Sequence, residues 1–181
     1  MQQASGALAL LDELRGDAKL GKDKHFHACS RKLRYHNVAG IPVIVINVFI
    51  GTIIVFLLAD GSAAKWVSAL ATLLAFFGAS LSALQTFFNF HKSAEGHSSI
   101  GNRYLRVTRD CKKLLLKHQD IPYEVAALWL EVEKLQADYL EINTDAEAFQ
   151  TSKSDMKNAR VSKEITPFQL PSEHAKNQPT D

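Results

Sequence analysis

The residues that could do chemistry in this sequence are few, and none of them completes a catalytic or metal site. His25, His27 and Cys29 alternate along the chain, which is the spacing of side chains on one face of a β-strand. Their surroundings predict a helix, however, and a helix would turn the three side chains in different directions. The sequence contains no GxGxxG, Walker-type, GxSxG or HExxH motif. We therefore expect no enzyme, no bound metal and no cofactor.

Two further histidines, His91 and His97, follow the most apolar part of the chain. They are six residues apart, which turns a helix by about 240°, so a shared metal ion is not expected. A histidine at such a boundary is more often a hydrogen-bonding residue than a proton sensor. Glu131 and Glu133 fit a solvated helix face rather than a pair of catalytic acids.

The distribution of charge shows which elements must position these residues. The chain has 181 residues, with 21 Lys and Arg against 19 Asp and Glu. This balance gives no reason to expect nucleic acid as a partner. Two blocks, residues 38–59 and 66–90, contain no Asp, Glu, Lys or Arg. Such segregation is unusual in a soluble domain and typical of a small membrane protein.

Each uncharged block is long enough to cross a bilayer as a helix. Fifteen of the 22 residues in the first block are Val, Ile, Leu or Phe. That block would reach about 33 Å and the second about 37 Å, against a hydrocarbon core of roughly 30 Å. The alternative, a pair of buried core helices, would leave the rest of the chain too short to cover them. The sequence therefore predicts two transmembrane helices.

The segment between the blocks, residues 60–65, is too short to do anything but join antiparallel neighbours. Lys and Arg are frequent before the first block and after the second, whereas the connector carries only Lys65. The positive-inside rule then places both termini in the cytoplasm and the turn outside. We predict a multi-pass membrane protein with two spans.

The second block divides at helical spacing into a small, polar face and a bulky face. Lipid is expected to contact the bulky face. The small face has two open interpretations: close packing against another helix, or lining a water-filled path in a ring of subunits. In the first block, Asn47 and Gly51 lie one turn apart and could be its partner patch. The small face consists of Ala71, Ala75, Gly78, Ser82, Gln85 and Asn89, and the bulky face of Leu70, Leu74, Phe77, Leu81, Leu84 and Phe88.

Residues 91–150 predict two amphipathic helices that are separated near Pro122, because the residue before a proline disfavours a helix. The first is basic and the second acidic, so antiparallel packing would pair their charges. Apolar residues of the second helix recur at steps of three and four, as in a coiled coil. This seam could join copies of the chain or close a local hairpin, and the sequence favours neither. The seam residues are Val125, Leu128, Val132, Leu135, Tyr139, Ile142, Ala146 and Phe149.

The two ends of the chain complete the predicted organisation. Residues 1–37 predict a cytoplasmic helical segment with breaks at Gly16 and Gly21. Residues 151–181 lose the apolar periodicity and predict a disordered or partner-binding tail. The predicted fold class is an all-α membrane protein: a two-helix transmembrane hairpin with long cytoplasmic helical extensions, assembled as a symmetric oligomer.

Several short stretches over roughly residues 10–150 resemble the bacterial SLATT family, whose two-span effector domains are associated with nucleotide-sensing conflict systems. The stretches are mostly apolar, with a few fixed polar positions. They are Phe26-His27-Ala28, Gly40-Ile41-Pro42-Val43, Leu84-Gln85-Thr86-Phe87, the juxtamembrane His91 and His97, and Tyr104.

The resemblance implies an oligomeric pore-forming or membrane-disrupting effector of a bacterial anti-phage, abortive-infection system. It implies a place in the bacterial inner membrane and opening by a signal from a separate nucleotide-signal or sensor protein. The alternative is a non-conducting membrane anchor or scaffold that recruits a cytoplasmic partner through its helical region. The expected partners are the lipid bilayer, other copies of the chain and the sensor.

Overall fold

The computed structural model describes residues 2–60 and 65–162, and in these ranges every regular element is an α-helix. The helices are α1 (Gln2–Asp60), α2 (Lys65–Phe88), α3 (Phe90–Asp120), α4 (Val125–Ala146) and α5 (Lys153–Ser162). The predicted all-α class is confirmed. Residues 61–64 of the predicted turn and residues 163–181 of the predicted tail lie outside the described residues.

The helices divide into two compact units. The first, called here the helical unit, combines the residues up to Ala28 with those from His97 onward. The second, called the apolar unit, is Cys29–Gly96. The division falls inside α1 and α3 rather than at the ends of the uncharged blocks.

The apolar unit contains the stretches that are long and apolar enough to cross a membrane. They belong to the helical segments Ser5–Phe56 and Lys65–Asp120, and only 6% of the most apolar window of each is buried. The core helix of a soluble protein would be mostly buried. Side chains such as Val38 (67% exposed), Phe76 (69%) and Phe87 (82%) are instead presented to the surroundings.

Within the apolar unit, α1 and α2 run antiparallel. The contacts pair rising numbers on α1 with falling numbers on α2: Gly40 lies against Gln85, and Ile46 lies against Gly78. Further along, Ile53 shares an apolar groove with Val67. The two helices therefore pack as the arms of a hairpin, which is the arrangement that the short connector predicted.

Helix α1 is continuous, so the predicted breaks at Gly16 and Gly21 are wrong. One glycine costs a helix only about 1 kcal/mol relative to alanine, which packing easily overcomes. Gly21 is buried beneath the ring of Tyr104, and a Cβ at position 21 would lie 3.0 Å from ring carbons Cδ1 and Cε1. Glycine here allows α1 to approach α3 closely.

The side chains of the predicted α4 seam pack into the core of the helical unit. Leu128, Val132 and Ile142 are buried, and the side chains of Leu135, Tyr139, Ala146 and Phe149 pack against the same core. Val125, at the start of α4, is half-buried. The core is completed by residues such as Leu11 and Leu14 of α1 and Val107 and Leu114 of α3. Of the two uses that the sequence left open, the structure shows the local one.

Helix α5 occupies part of the stretch predicted to be disordered, so that prediction is wrong for residues 153–162. Ser152 and Asp155 form a reciprocal cap: the Ser152 N–H donates to Asp155 Oδ2 at 2.8 Å, and the Asp155 N–H donates to Ser152 Oγ at 3.2 Å. Such a capping box stabilises the first turn of a helix. Ala159 and Asp155 are buried, which anchors α5 to the helical unit.

The contact between Gly21 and Tyr104 gives a test of the helical unit. Gly21→Ala should lower the free energy of unfolding by about 1–3 kcal/mol, because the new methyl group has to displace a buried ring. Gly6→Ala is the matched control on the same helix, since a Cβ there would meet Trp129 at an ordinary 3.6 Å. We expect it to be neutral or to stabilise by up to about 1 kcal/mol.

The measurement is urea unfolding of the full chain in detergent, followed by the fluorescence of Trp129. The chain contains two tryptophans, so a Trp66→Phe background isolates this signal. A Gly21→Ala protein as stable as the Gly6→Ala protein would contradict the close approach of α1 and α3.

Candidate functional site

Helix α2 presents three distinct faces in the apolar unit. One is partly or fully buried against α1, a second is exposed and small, and a third is exposed and bulky. The buried face consists of Val67, Ala71, Leu74, Gly78, Leu81 and Gln85. The small exposed face, called here the hydroxyl stripe, consists of Ser68, Thr72, Ala75, Ala79, Ser82 and Thr86. The bulky face consists of Trp66, Leu70, Leu73, Phe77, Leu84 and Phe88.

The small face predicted from the sequence is therefore divided between two sides of α2. Ala71, Gly78 and Gln85 turn towards α1, whereas Ala75 and Ser82 are exposed and belong to the hydroxyl stripe. On the predicted bulky face, Leu74 and Leu81 are partly buried against α1 and are not left to lipid. The prediction failed here because a helix face follows the position of its neighbour, and the neighbour's position is not visible in the spacing alone.

Gly78 is the point of closest approach between α1 and α2. It is buried, and a Cβ at this position would lie 3.2 Å from Ile46 Cγ2 and 3.7 Å from Asn47 Oδ1. Small residues allow helix backbones to approach in this way. Of the two residues in the predicted partner patch, Asn47 lies beside Gly78. Gly51 does not make this contact, since a Cβ at that position would have no atom within 4 Å.

A polar contact joins α1 and α2 near the end of the uncharged blocks. The amide of Gln85 donates from Nε2 to His36 Nδ1 at 3.2 Å. The same amide lies over Gly40, where a Cβ would come within 2.9 Å of Nε2. The sequence analysis identified Gln85 but missed His36. The available signal was the Gln85 amide itself, because a hydrogen-bond donor in an apolar block needs an acceptor on the facing helix.

Asn89 forms the junction between α2 and α3 instead of contacting α1. Its φ of 39° is in the left-handed region, which asparagine tolerates better than most residues. Its side-chain oxygen accepts the N–H of Lys92 at 3.4 Å. Asn89 therefore forms a local cap at this junction, and its predicted packing or pore-lining role stays a prediction.

The juxtamembrane histidines have different surroundings. His91 is exposed, forms an i,i+4 contact from Nδ1 to Glu95 Oε1 at 3.4 Å, and lies edge-on to His36 with 5.4 Å between ring centroids. His97, in contrast, is 1% exposed and belongs to the helical unit. The interpretation of a boundary hydrogen-bonding residue fits His91 and not His97.

His97 pairs with His25 in the interior of the helical unit. Their Nδ1 atoms are 3.1 Å apart, so one ring has to carry a proton on Nδ1 and the other has to accept it. Both rings are 1% exposed, with Tyr104 5.8 Å from His25 and Phe149 5.9 Å from His97 between centroids. The sequence analysis considered His25 only as a metal ligand and missed this contact, which joins residues 72 positions apart.

Tyr104 links the histidine pair to α4. Its hydroxyl donates to Asn143 Oδ1 at 2.5 Å. Its neighbour Arg103 forms ion pairs with Glu141, at 2.9 Å, and with Asp145. Among the residues that the structure describes, no three His, Cys, Asp or Glu side chains are placed to hold a metal ion. The buried histidine pair and Tyr104 are thus flanked by ion pairs at the surface of the helical unit.

Burial makes the histidine pair sensitive to acid. Loss of solvation lowers the pKa of His25 from 6.5 to about 4, helped by the neighbouring His97 and Lys24 and opposed by Asp155. The folded helical unit therefore holds His25 neutral, whereas the unfolded chain binds a proton near pH 6.5.

The geometry defines a protein class: an antiparallel pair of apolar helices able to span a membrane, together with a compact helical unit. Comparison of the chain with protein-family models, curated proteins and solved structures finds no match.

The His25–His97 pair predicts that the helical unit loses stability in acid. Because the pKa of His25 is lower in the folded chain, its contribution is complete above pH 6.5 and is lost as the pH falls towards about 4. Between pH 7 and pH 5 the free energy of unfolding should fall by about 2 kcal/mol. His25→Leu should flatten this dependence, as measured by urea unfolding at each pH.

The control for this experiment is His27→Leu, which replaces a half-buried histidine on the same helix. It should keep the pH dependence of the original chain. An equal pH dependence in the His25→Leu and His27→Leu proteins would assign the effect to other groups.

Proposed function

We propose that this protein is an oligomeric pore-forming protein of the bacterial inner membrane. In this proposal the apolar unit inserts as a transmembrane hairpin with both termini in the cytoplasm. Several copies assemble so that their α2 helices surround a water-filled path, with α1 on the lipid side.

Insertion is supported by the length and the surface of the apolar unit. Both helices contain stretches long and apolar enough to cross a membrane. Their exposed side chains include Ile44 (66%), Val55 (67%) and Phe87 (82%), and water would have to surround them in a soluble protein. The bulky face of α2 and the outer side of α1 suit contact with lipid.

The observation that carries the pore is the hydroxyl stripe. Ser68 and Thr86 are 18 residue steps apart, or about 27 Å along the helix, which is close to the thickness of the hydrocarbon core. Within this distance every stripe position is Ser, Thr or Ala, and every one is exposed. A polar stripe that ended halfway would serve packing alone, whereas this one reaches across the bilayer.

The hydroxyl groups of the stripe are suited to water contact without a charge. Thr72 donates to the Ser68 carbonyl at 2.9 Å, and Thr86 donates to the Ser82 carbonyl at 3.0 Å. These two threonine donors are thus satisfied inside the helix, and their oxygen lone pairs remain available to accept hydrogen bonds from water. Rings of such groups can be wetted while the bilayer contains no full charge.

The packing of α1 on α2 does not account for the stripe. That contact uses the face centred on Gly78, which lies about 100° around the helix from the stripe. The stripe therefore remains free for other copies of the chain or for water. An anchor that carried a partner without conducting would have no need for it.

The resemblance to SLATT effectors supplies the biological side of the proposal. It supports a role in anti-phage defence by abortive infection, with opening triggered by a separate nucleotide-signal or sensor protein. The sequence stretches around Gly40 and Gln85 that carry the resemblance are also the stretches that join α1 to α2.

The test is leakage of an encapsulated dye from liposomes that contain the full chain. Ser82→Leu combined with Thr86→Leu should lower the leakage rate by about tenfold or more, because two leucines per copy replace polar groups with apolar bulk in the path. Insertion should be unaffected, since the changes make α2 more apolar.

The matched control is Thr52→Leu on α1, where an exposed hydroxyl likewise donates to a carbonyl, that of Val48, at 2.9 Å. It should leak as the original chain does. If the original chain inserts but releases no dye at any protein-to-lipid ratio, the pore is excluded and the anchor or scaffold function remains. Equal leakage by the stripe variant and the control would remove α2 as the lining helix.

A further inference from the structure

The helical unit has two outward faces that its own core does not use. On α3, the outer face consists of Leu105, Arg109, Lys112 and Leu116. On α4, the outer face consists of Leu130, Glu133, Ala137 and Leu140. Each face has leucines at its two ends, with charged or small residues between them.

Leu105 is half-buried, and the other residues of these two faces are exposed. Leu130 is 67% exposed, Leu140 55% and Leu116 40%. Across the described ranges, 2–60 and 65–162, neither Lys112 nor Glu133 takes part in an ion pair. A contact with a second copy of the chain would cover these leucines and pair these charges.

The contact between α3 and α4 within the chain uses other sides of both helices. Arg103 holds the two helices together through Glu141 and Asp145. Lys112 is nine residues from Arg103, or about half a turn around α3. Leu140 is five residues from Asp145, or about 140° around α4. The outer faces therefore point away from the intrachain contact.

The two faces match each other in spacing. Leu105 and Leu116 are about 16 Å apart along α3, and Leu130 and Leu140 are about 15 Å apart along α4. If the helices lie antiparallel, both pairs of leucines can meet at the same time.

They also match in charge. In the antiparallel register that joins the leucines, Lys112 lies within about one residue of Glu133, and the small Ala137 leaves room for Arg109. Each face carries charge of one sign, so pairing α3 with α3 or α4 with α4 would bring like charges together. The complementary partner of each face is the other face.

We propose that the outer face of α3 in one copy docks antiparallel on the outer face of α4 in the next copy. Both halves of the contact are on the same chain, so the occupant is a second copy. A head-to-tail contact of this kind continues from copy to copy, and it closes into a ring where the rotation between successive copies permits closure. This inference rests on the proposed pore, because a ring of helical units would hold the membrane helices of several copies together.

The experiment measures the mass of the full-length protein in detergent by light scattering, at about 0.1 M salt, where surface charges still act over roughly 10 Å. Lys112→Glu places a glutamate opposite Glu133 of the next copy, and Glu133→Lys places a lysine opposite Lys112 of the next copy. Each variant alone should raise the concentration needed for assembly about tenfold or more. An equimolar mixture should assemble within about twofold of the original chain, because in alternating copies residues 112 and 133 then carry opposite charges at every contact.

The chain provides a matched control for each variant. Lys113→Glu and Glu131→Lys make the same changes on the same helices, but these residues line the groove between α3 and α4 of one copy. Both controls should assemble as the original chain does. Thermal unfolding of all four variants confirms that each one folds.

The outcomes separate the interface from the pore. Assembly of Lys112→Glu or Glu133→Lys at the original concentration, or failure of the mixture to assemble, would overturn the interface, and so would a monomeric original chain. Dye leakage on the same samples is read independently: charge-sensitive assembly without leakage would leave the interface standing and the pore refuted. Leakage without charge-sensitive assembly would do the reverse.

Discussion

The approach of Ile46 to Gly78 determines the arrangement of the apolar unit. Because glycine has no Cβ, the side chain of Ile46 reaches the backbone of α2, and a Cβ there would come within 3.2 Å of it. This contact fixes the rotation of α2 about its own axis. The rotation in turn decides that Ala71 and Gln85 meet α1 and that Ser82 and Thr86 are exposed. A different rotation would bury the hydroxyl stripe, so the argument for a pore depends on this one contact.

The arrangement of the helical unit likewise depends on which apolar surface of α4 is buried. The seam of α4 is apolar enough to drive oligomerisation, but the core of its own chain covers Leu128, Val132 and Ile142. The outer faces of α3 and α4, which lie outside this core, carry leucines together with charged and small residues. The proposed contact between copies would therefore depend on salt, because it pairs surface charges.

The histidines show which contacts the sequence can predict and which contacts only the structure shows. The prediction of a hydrogen-bonding residue at the boundary fits His91, because its partner Glu95 is only four residues away on the same helix. The pairing of His25 with His97 was not predicted, because it joins positions 72 residues apart. Nothing in the local pattern distinguishes a buried histidine from an exposed one on a helix of mixed polarity. The same limit applies to His36, whose partner Gln85 lies on another helix.

The sequence by itself determined the all-helical class, the two apolar helices and their antiparallel order. The length of the two apolar blocks, the absence of charge within them and the short connector are local features of the sequence. Together they allow only this arrangement. It also contained the Ser152–Asp155 capping box, which explains α5 although the composition of the tail obscured it. Only the tertiary structure decided which side of each helix is buried, because a helix face is defined by the helix that packs against it. For the same reason, the destination of the α4 seam and the division of the small face of α2 could not be settled before the helices were packed together.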